Sequence, residues 1–240
     1  MIVLGFDTAT PATAVALLDD AGRAGADLAE RRHEPAGGER PGHASQLLVL
    51  AAQLLGEAGV AFTDVDRIAV GLGPGTFTGL RIGVSTARAL AQSTGAELVG
   101  ISTLRALAIE AEPTAGWAGA DFGVLAVIDA RRGEAFSAGW RGGRRVLEQS
   151  ALAPAALAAR IADDGGSWLA VGDGAVRFRE DLERAGCAVA PDGDERHGVR
   201  ARAVCRLALE APRGTARDMV VPDYLRPPDA VHSVSRKIAP

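Results

Sequence analysis

Short apolar segments near the start of the chain alternate with turn-forming residues. The segments 2–7 and 12–18 are apolar or alternating, and the turn-prone run Thr8-Ala9-Thr10-Pro11 separates them, so we expect a β-hairpin. A third, more polar strand is predicted in the region 24–33, and a helix follows over 44–57. The pattern therefore predicts a three-stranded antiparallel unit that is followed by a helix.

The rest of the first half alternates between strands and helices. A short buried strand over 68–71 leads into a glycine-rich loop and a helix over 80–92. A strand over 97–101 and a helix over 103–111 close this half. The elements together predict an α/β lobe of βββαβα order.

The second half of the chain repeats this order. Asp129 ends the first strand of a second hairpin, as Asp7 ends the first strand of the first hairpin. A repeat of about 120 residues is too long for a solenoid and indicates a duplicated α/β domain. The elements predicted in the second half are strands over 123–129, 134–140 and 144–149, a helix over 154–162, a strand over 168–172 and a helix over 175–186.

The duplication also suggests where the lobes begin and end. We divide the chain into a first lobe over 1–111, a second lobe over 112–218 and an extended tail over 219–240. The tail contains several prolines and little apolar periodicity, which is typical of a terminal segment outside the packed core.

The composition is that of a globular protein. Of the 240 residues, 48% are hydrophobic and 23% are charged, which excludes a disordered or collagen-like chain. The formal net charge of −4 disfavours a protein that binds nucleic acid by itself, because such proteins usually carry a basic surplus. No apolar run approaches the roughly 18–20 residues of a membrane span, and the N-terminus lacks the basic region of a signal peptide. We therefore expect a cytoplasmic protein with no membrane partner.

A glycine-rich loop, Gly73-Pro74-Gly75-Thr76-Phe77-Thr78-Gly79-Leu80-Arg81, lies between a predicted strand and a predicted helix. Backbone N–H groups in such a loop can bind a phosphate, but this loop has neither the lysine of a Walker A motif nor the glycine spacing of a dinucleotide site. The hairpin tip adds a carboxylate and hydroxyls that suit a metal–phosphate group. A phosphate site and a plain turn both stay open. The candidate cofactor-binding residues are Asp7, Thr8, Gly73, Gly75 and Thr76.

Two common kinds of catalytic motif are missing from the sequence. The histidines at positions 33, 43, 197 and 232 form no HxxxH or HExxH pair, which argues against a helical two-histidine metal site. Ser85 lies in the run GVSTA, which lacks the second glycine of a nucleophile elbow. We therefore assign no catalytic and no metal-ligating residue.

The helices predicted over 44–57 and 80–92 carry more apolar surface than one face of a sheet can cover. In the first helix the polar side is limited to Gln46, Gln53 and Glu57, and the second has a single narrow polar stripe. A surface helix needs an apolar stripe only a little wider than about 100°. The surplus fits either packing within the chain or a protein–protein interface.

Several segments together resemble one protein family. They are FDTATPATAVALL at 6–18, HASQLL at 43–48, GPGTFTGLRIG at 73–83, VIDARRGEAFSAGW at 127–140 and PDYLR at 222–226, and they are similar to the TsaB family, also called YeaZ. The resemblance runs in order over nearly the whole chain, and GPGTFTGLRIG is highly specific. It implies an ASKHA fold, the architecture of actin, Hsp70 and sugar kinases, with two ribonuclease-H-like lobes.

The resemblance also implies a function. TsaB-like proteins are non-catalytic subunits of the bacterial machinery that makes threonylcarbamoyladenosine at position 37 of tRNAs reading ANN codons. They pair with a TsaD-type transferase, which carries the metal site, and a TsaE-type ATPase joins the assembly. The resemblance further implies a homodimer in isolation, contact with tRNA only through the complex, and no required cofactor, with ATP or ADP at most in the assembled complex.

The family likeness points to the two apolar helices as the partner-binding surface. We expect a four-helix interface between these helices and the same helices of a partner. Three other functions stay open: a stand-alone ATP-dependent kinase on the same fold, a metallopeptidase-like protein, and a structural dimer without a role in tRNA modification. The candidate interface residues are His43, Leu47, Leu50, Leu54, Arg81, Val84 and Arg88.

Overall fold

Two five-stranded mixed sheets form the centre of the protein. The computed structural model describes residues 1–20, 28–112, 122–214 and 216–226. The first sheet has the order β3-β2-β1-β4-β5, in which β1 pairs antiparallel with β2 and parallel with β4. Its strands are β1 (Ile2–Asp7), β2 (Thr13–Asp19), β3 (Leu28–His33), β4 (Arg67–Gly73) and β5 (Glu97–Ser102).

The second sheet repeats the first. Its order is β10-β9-β6-β7-β8, so that each strand occupies the position of its counterpart in the first sheet. The predicted duplicated α/β fold is confirmed, although β10 was not predicted, because a strand of two residues carries no periodic signal. The strands are β6 (Phe122–Asp129), β7 (Ala135–Arg141), β8 (Arg144–Leu152), β9 (Ser167–Val171) and β10 (Ala188–Val189).

Helices cover both sheets. Among the described residues, no helix is both long and apolar enough to cross a membrane. The single helix predicted over 175–186 is two short helices, because the chain bends at Phe178 and buries that ring beside Leu182. The helices are α1 (His43–Ala58), α2 (Phe77–Thr94), α3 (Thr103–Ile109), α4 (Pro154–Asp164), α5 (Asp173–Arg177), α6 (Arg179–Arg184) and α7 (Ala201–Glu210).

The helices are distributed in three layers. α1 and α2 pack on the outer face of the first sheet, and α4, α5 and α6 lie with the second sheet in a separate core. α3 and α7 lie between the two sheets, where α3 contacts β6 and β7 while α7 contacts β1 and β2. α7 was not predicted from the sequence. It lies within the range predicted for the second lobe, yet it packs on the first sheet.

The packing of α7 on β1 is unusually close. A Cβ atom added to Gly5 would lie 2.5 Å from Cys205 Sγ, so only glycine fits this position of β1. The Cys205 thiol lies 3.5 Å from the carbonyl oxygen of Ala16 and 3.7 Å from that of Val3, and burial raises its pKa. The thiol is therefore a neutral core group in contact with two neighbouring strands.

Charged side chains hold α7 in place at its ends. The side chain of Arg67 is buried and donates to the carbonyl oxygens of Ala208 and Ala211, at the C-terminal end of α7, while Nη2 lies 2.7 Å from Glu97 Oε2. Arg202 on α7 lies 2.6 Å from Glu110, which immediately follows α3. These bonds satisfy carbonyls that a helix end leaves unpaired, and they tie the two halves of the chain together.

We expect Gly5→Ala to lower the free energy of unfolding by about 1–3 kcal/mol, because the new methyl group must displace Cys205 Sγ. Urea denaturation followed by circular dichroism measures the change. Gly56→Ala is the matched control, since Gly56 lies in α1 with open space around it. Equal stability of the two variants would contradict the close contact, whereas partial recovery in Gly5→Ala/Cys205→Ala would support it.

Candidate functional site

The turn between β1 and β2 carries the first two predicted cofactor-binding residues. Asp7 is buried, its Oδ1 accepts a hydrogen bond from the Ala9 backbone N–H at 2.8 Å, and its Oδ2 accepts one from Thr103 Oγ1 at 2.7 Å. Thr103 Oγ1 in turn accepts from the Gly73 backbone N–H at 3.1 Å. Burial raises the pKa of Asp7 above its usual value. The carboxyl group thus organises the turn and the end of β4.

The glycine-rich loop after β4 packs directly on this turn. Thr8 Oγ1 donates to the Gly79 carbonyl oxygen at 2.7 Å, and the Thr76 backbone N–H donates to the Ala9 carbonyl oxygen at 2.7 Å. A Cβ atom on Gly75 would lie 2.3 Å from Ala9 O, and one on Gly79 would lie 2.0 Å from Thr8 O. The glycines are therefore required for contact between two pieces of backbone.

The five candidate cofactor-binding residues lie in the turn and the loop that pack on each other, and their polar groups bind neighbouring residues of the protein. A phosphate site needs N–H and hydroxyl donors directed at open space. Here the Thr8 hydroxyl and the Thr76 N–H donate to carbonyl oxygens of the protein, and the Asp7 carboxyl is enclosed. The residues in this arrangement do not fit the phosphate of a bound nucleotide.

The turn between β6 and β7 mirrors the first turn. Asp129 Oδ1 accepts from the Arg131 backbone N–H at 2.9 Å, as Asp7 accepts from Ala9. Asp129 Oδ2 lies 2.6 Å from Arg177 Nη1, and Asp173 Oδ1 accepts from the Asp129 backbone N–H at 3.0 Å. Burial raises the pKa of Asp173. The second turn is thus also held by internal bonds, although Arg131 at its tip is exposed.

A cleft of about 190 Å³ separates the glycine-rich loop from the second turn. Gly75 and Thr76 line one wall and Asp129 lines the other, so two of the five candidate residues reach this cleft. The remaining wall is the C-terminal segment over 223–226, which belongs to the PDYLR motif and falls in the predicted tail. Residues 227–240 of that predicted tail lie outside the described residues.

The C-terminal segment bridges the two lobes. The Asp223 backbone N–H donates to the Leu72 carbonyl oxygen of β4 at 2.7 Å. Arg226 lies 2.9 Å from Glu134 and donates to the Ala130 carbonyl oxygen at 2.8 Å, both on the second lobe. The ring of Tyr224 packs on Phe77 with a centroid distance of 5.0 Å. Part of the PDYLR motif therefore closes one side of the cleft.

The helices α1 and α2 hold the predicted interface residues, and many of these are buried inside the chain. Leu47 and Leu54 are each 2% exposed and belong to the core beneath α1, and Val84 of α2 lies in the same core. The His43 ring is also buried, and Leu50 is partly buried. Leu47, Leu54 and Val84 therefore stabilise the monomer and are not available as surface anchors.

Other residues form the outward face of the two helices. Leu48 and Val49 are each 48% exposed, which is high for large apolar side chains. The polar candidates do lie at the surface, because Arg81 is exposed and Arg88 is partly exposed and donates to the Arg217 carbonyl oxygen. Leu48 and Val49 were missed because the helix is apolar on nearly every side, which hides the direction of its buried stripe.

A groove of about 360 Å³ runs between α1 and α2, and we call it the α1–α2 groove. It opens on the same outward face as Leu48, and the wall from α2 carries one arginine and two hydroxyl groups. Its lining includes His43, Leu48, Arg81, Ile82, Ser85 and Thr86.

Within the described ranges, no group of three or more histidine, cysteine, aspartate or glutamate side chains is arranged to hold a metal ion.

Comparisons of sequence identify two kinds of relative. A family model described as TsaD, tRNA N6-adenosine threonylcarbamoyltransferase, matches residues 28–162. The tRNA threonylcarbamoyladenosine biosynthesis protein TsaB of Escherichia coli (strain K12) is 32% identical over 200 residues, which cover 81% of this chain and 80% of that protein. A tRNA N6-adenosine threonylcarbamoyltransferase of Rhodospirillum rubrum is 35% identical over 127 residues, which cover 48% of this chain and 35% of the transferase.

Comparisons of structure agree with the predicted fold class. YeaZ from Pseudomonas aeruginosa superposes with a TM-score of 0.70 at 29% identity, and the match covers 93% of this chain and all of that one. A ROK hexokinase from Thermus thermophilus matches with a TM-score of 0.51 at 17% identity over 87% of this chain and 100% of the hexokinase, which is evidence of fold alone. The ASKHA architecture is thereby confirmed.

We expect Thr8→Val to lower the free energy of unfolding by about 1–3 kcal/mol, because it removes the buried hydrogen bond from the Thr8 hydroxyl to the Gly79 carbonyl oxygen. Chemical denaturation measures the loss. Thr78→Val is the matched control, since Thr78 lies in the same loop–helix junction with an exposed side chain, and we expect a change of at most about 0.5 kcal/mol. If both variants unfolded alike, the Thr8 hydrogen bond would not hold the loop.

Proposed function

The chain belongs to the TsaB family, and from this premise we propose that it is the non-catalytic partner of a TsaD-type transferase. Its role is in tRNA threonylcarbamoyladenosine biosynthesis. The proposal extends this role to adenosine 37 of tRNAs that read ANN codons. It assigns the transfer step to the partner and a supporting role to this chain.

The extent of the sequence matches is the observation that carries the proposal. The chain covers 80% of the Escherichia coli TsaB sequence but only 35% of the Rhodospirillum rubrum transferase. The likeness to the transferase is therefore confined to 48% of this chain, whereas the likeness to TsaB covers 81% of it. This difference supports a subunit that is related to the transferase without performing its reaction.

The hydrogen bonds between the β1–β2 turn and the glycine-rich loop support a non-catalytic role. In this chain the Thr8 hydroxyl and the Thr76 N–H donate to backbone carbonyl oxygens, where a nucleotide-using enzyme needs open donors. Under the proposal, the chain requires no cofactor of its own, and ATP or ADP in the assembly binds to other subunits. A stand-alone kinase is the less favoured function for the same reason.

The outward face of α1 and α2 supports a protein partner. Leu48 and Val49 place large apolar side chains at the surface, beside the α1–α2 groove. Apolar residues that are exposed and adjacent are typical of a protein–protein interface. We infer that a TsaD-type subunit covers this face in the complex, and that a second copy of the chain covers it in a homodimer.

Further partners complete the proposal. A TsaE-type ATPase joins the assembly, and the net charge of −4 fits a chain that reaches tRNA only through the complex. The proposed place of action is the cytoplasm, where tRNA is modified.

Reconstitution tests the proposed function. We expect no threonylcarbamoyl transfer to tRNA by this chain alone, and a clear gain when it is mixed with its cognate TsaD-type and TsaE-type subunits and the threonylcarbamoyl donor. The control is the same mixture without this chain. Light scattering after size-exclusion chromatography should show a heterodimer. Transfer by the chain alone, or no complex and no gain, would refute the scaffold role.

A charged residue on the outward face should prevent assembly. We expect Leu48→Glu to weaken binding of the TsaD-type subunit by about tenfold or more, because the variant loses the apolar contact of Leu48 and places a charge that must be desolvated at the interface. Val146→Glu is the matched control, since Val146 is 44% exposed and lies on β8 of the second lobe. Equal binding by the two variants, measured by titration calorimetry, would move the interface away from α1.

A further inference from the structure

The α1–α2 groove contains a buried histidine with one unpaired ring nitrogen. His43 is 2% exposed, and its Nδ1 lies 2.8 Å from Thr13 Oγ1 on β2. The Thr13 hydroxyl has no other hydrogen bond in the described part of the chain. We assign the proton of this bond to the hydroxyl, because the opposite assignment would leave the hydroxyl proton unpaired in addition to Nε2. Nε2 then carries the ring proton, and this N–H has no acceptor among the described residues.

The environment of the His43 ring favours its neutral form. Burial lowers the pKa of His43, and the nearby His33 lowers it further. A neutral ring with Nδ1 as acceptor has one donor, Nε2–H, and His43 lines a groove whose surface is otherwise largely apolar. Nε2 is buried in the free chain, so a ligand reaches it only when the neighbouring side chains of the groove move aside. A buried donor without an acceptor costs free energy, which a ligand that supplies an acceptor would recover.

Arg81 supplies a second donor to the same groove. Its guanidinium group lies 4.0 Å above the ring of Phe77, and its Nε lies 3.3 Å from the Tyr224 hydroxyl. These contacts hold the side chain at the groove but leave its charge unbalanced, since Arg81 forms no ion pair with any described residue. The groove thus offers a positive charge and a directed N–H group.

The two helices themselves contain almost no negative charge. α2 has no aspartate or glutamate, and the only acidic residue of α1 is Glu57, in its last turn. Glu57 is an ion-pair partner of Arg31. A second copy of this chain that docked through the same helices would therefore bring no carboxylate from its groove-forming turns to His43 and Arg81.

We propose that the α1–α2 groove binds an aspartate or glutamate side chain of the partner subunit, with His43 Nε2 and Arg81 donating to its oxygens. The proposal rests on the proposed function, because the partner is the TsaD-type subunit. It also explains how one apolar face can favour that subunit over a second copy of the chain: both cover Leu48 and Val49, but only a partner with a carboxylate pairs the two donors.

The first experiment compares two arginines of α2. We expect Arg81→Ala to weaken the heterodimer by about tenfold or more and to leave the homodimer within about twofold. Arg88→Ala is the control, because Arg88 lies two turns along the same helix, donates to the Arg217 carbonyl oxygen and does not line the groove. Titration calorimetry and sedimentation equilibrium measure the two associations.

The second experiment tests the histidine donor. His43→Gln retains an N–H donor near the position of Nε2, whereas His43→Leu removes it, so we expect the first to bind the partner more tightly than the second. Circular dichroism checks that both variants fold. In the wild-type complex, the ¹H–¹⁵N spectrum of the histidine side chains should show a new, exchange-protected Nε2–H signal that is absent from the free chain and from the homodimer.

The outcomes separate this proposal from the proposed function. If Leu48→Glu abolishes the heterodimer while Arg81→Ala and His43→Leu bind normally, the interface stands and the carboxylate-binding groove is refuted. If Arg81→Ala and Arg88→Ala weaken binding equally, or if the homodimer weakens as much as the heterodimer, the groove is again refuted. If none of these variants affects the heterodimer, the groove is refuted and the interface lies away from α1, while the reconstitution assay still decides the proposed function.

Discussion

The contact between α7 and β1 is the constraint on which the two-lobed structure depends. α7 comes from the end of the second repeat, yet it lies on the first sheet so closely that a side chain at Gly5 would overlap Cys205 Sγ. Arg67 then binds the final carbonyl oxygens of α7 from inside the first sheet. In the same way, α3 comes from the first half of the chain and packs on the second sheet. The inner face of each sheet is therefore covered by a helix from the other half of the chain. Neither half can bury its inner face without the other.

Close packing also explains why the β1–β2 turn has few free polar groups. The glycine-rich loop approaches the β1–β2 turn until backbone meets backbone at Gly75 and Gly79, and the polar groups on both sides bind each other. Thr8, whose hydroxyl could bind a phosphate, instead forms a hydrogen bond that holds the glycine-rich loop against the turn. A loop can thus keep the glycines of a ligand site when they serve close packing, and its composition alone does not distinguish the two uses.

The sequence predicted the sheets better than the helices, for a physical reason. Buried strands such as β1 and β2 are apolar except at their terminal residues, so their ends were clear. α7 was missed although Ala201, Val204, Cys205 and Ala208 follow helical spacing, because the intervening arginines dilute the apolar signal. For α1 the difficulty was the reverse: with apolar residues on nearly every side, the sequence could not indicate that Leu47 faces the sheet and Leu48 faces outward.

Apolar and polar groups on the outward face have different consequences for recognition. Burial of Leu48 and Val49 is favourable with any complementary apolar surface, so it contributes affinity without selecting a partner. The unpaired donors of His43 and Arg81 act differently, since each is favourable only when a partner supplies an acceptor and unfavourable when it is covered without one. A surface that combines the two can associate weakly with itself and strongly with one related chain. For a family of duplicated, mutually similar subunits, that combination is a physical basis for choosing the heterodimer.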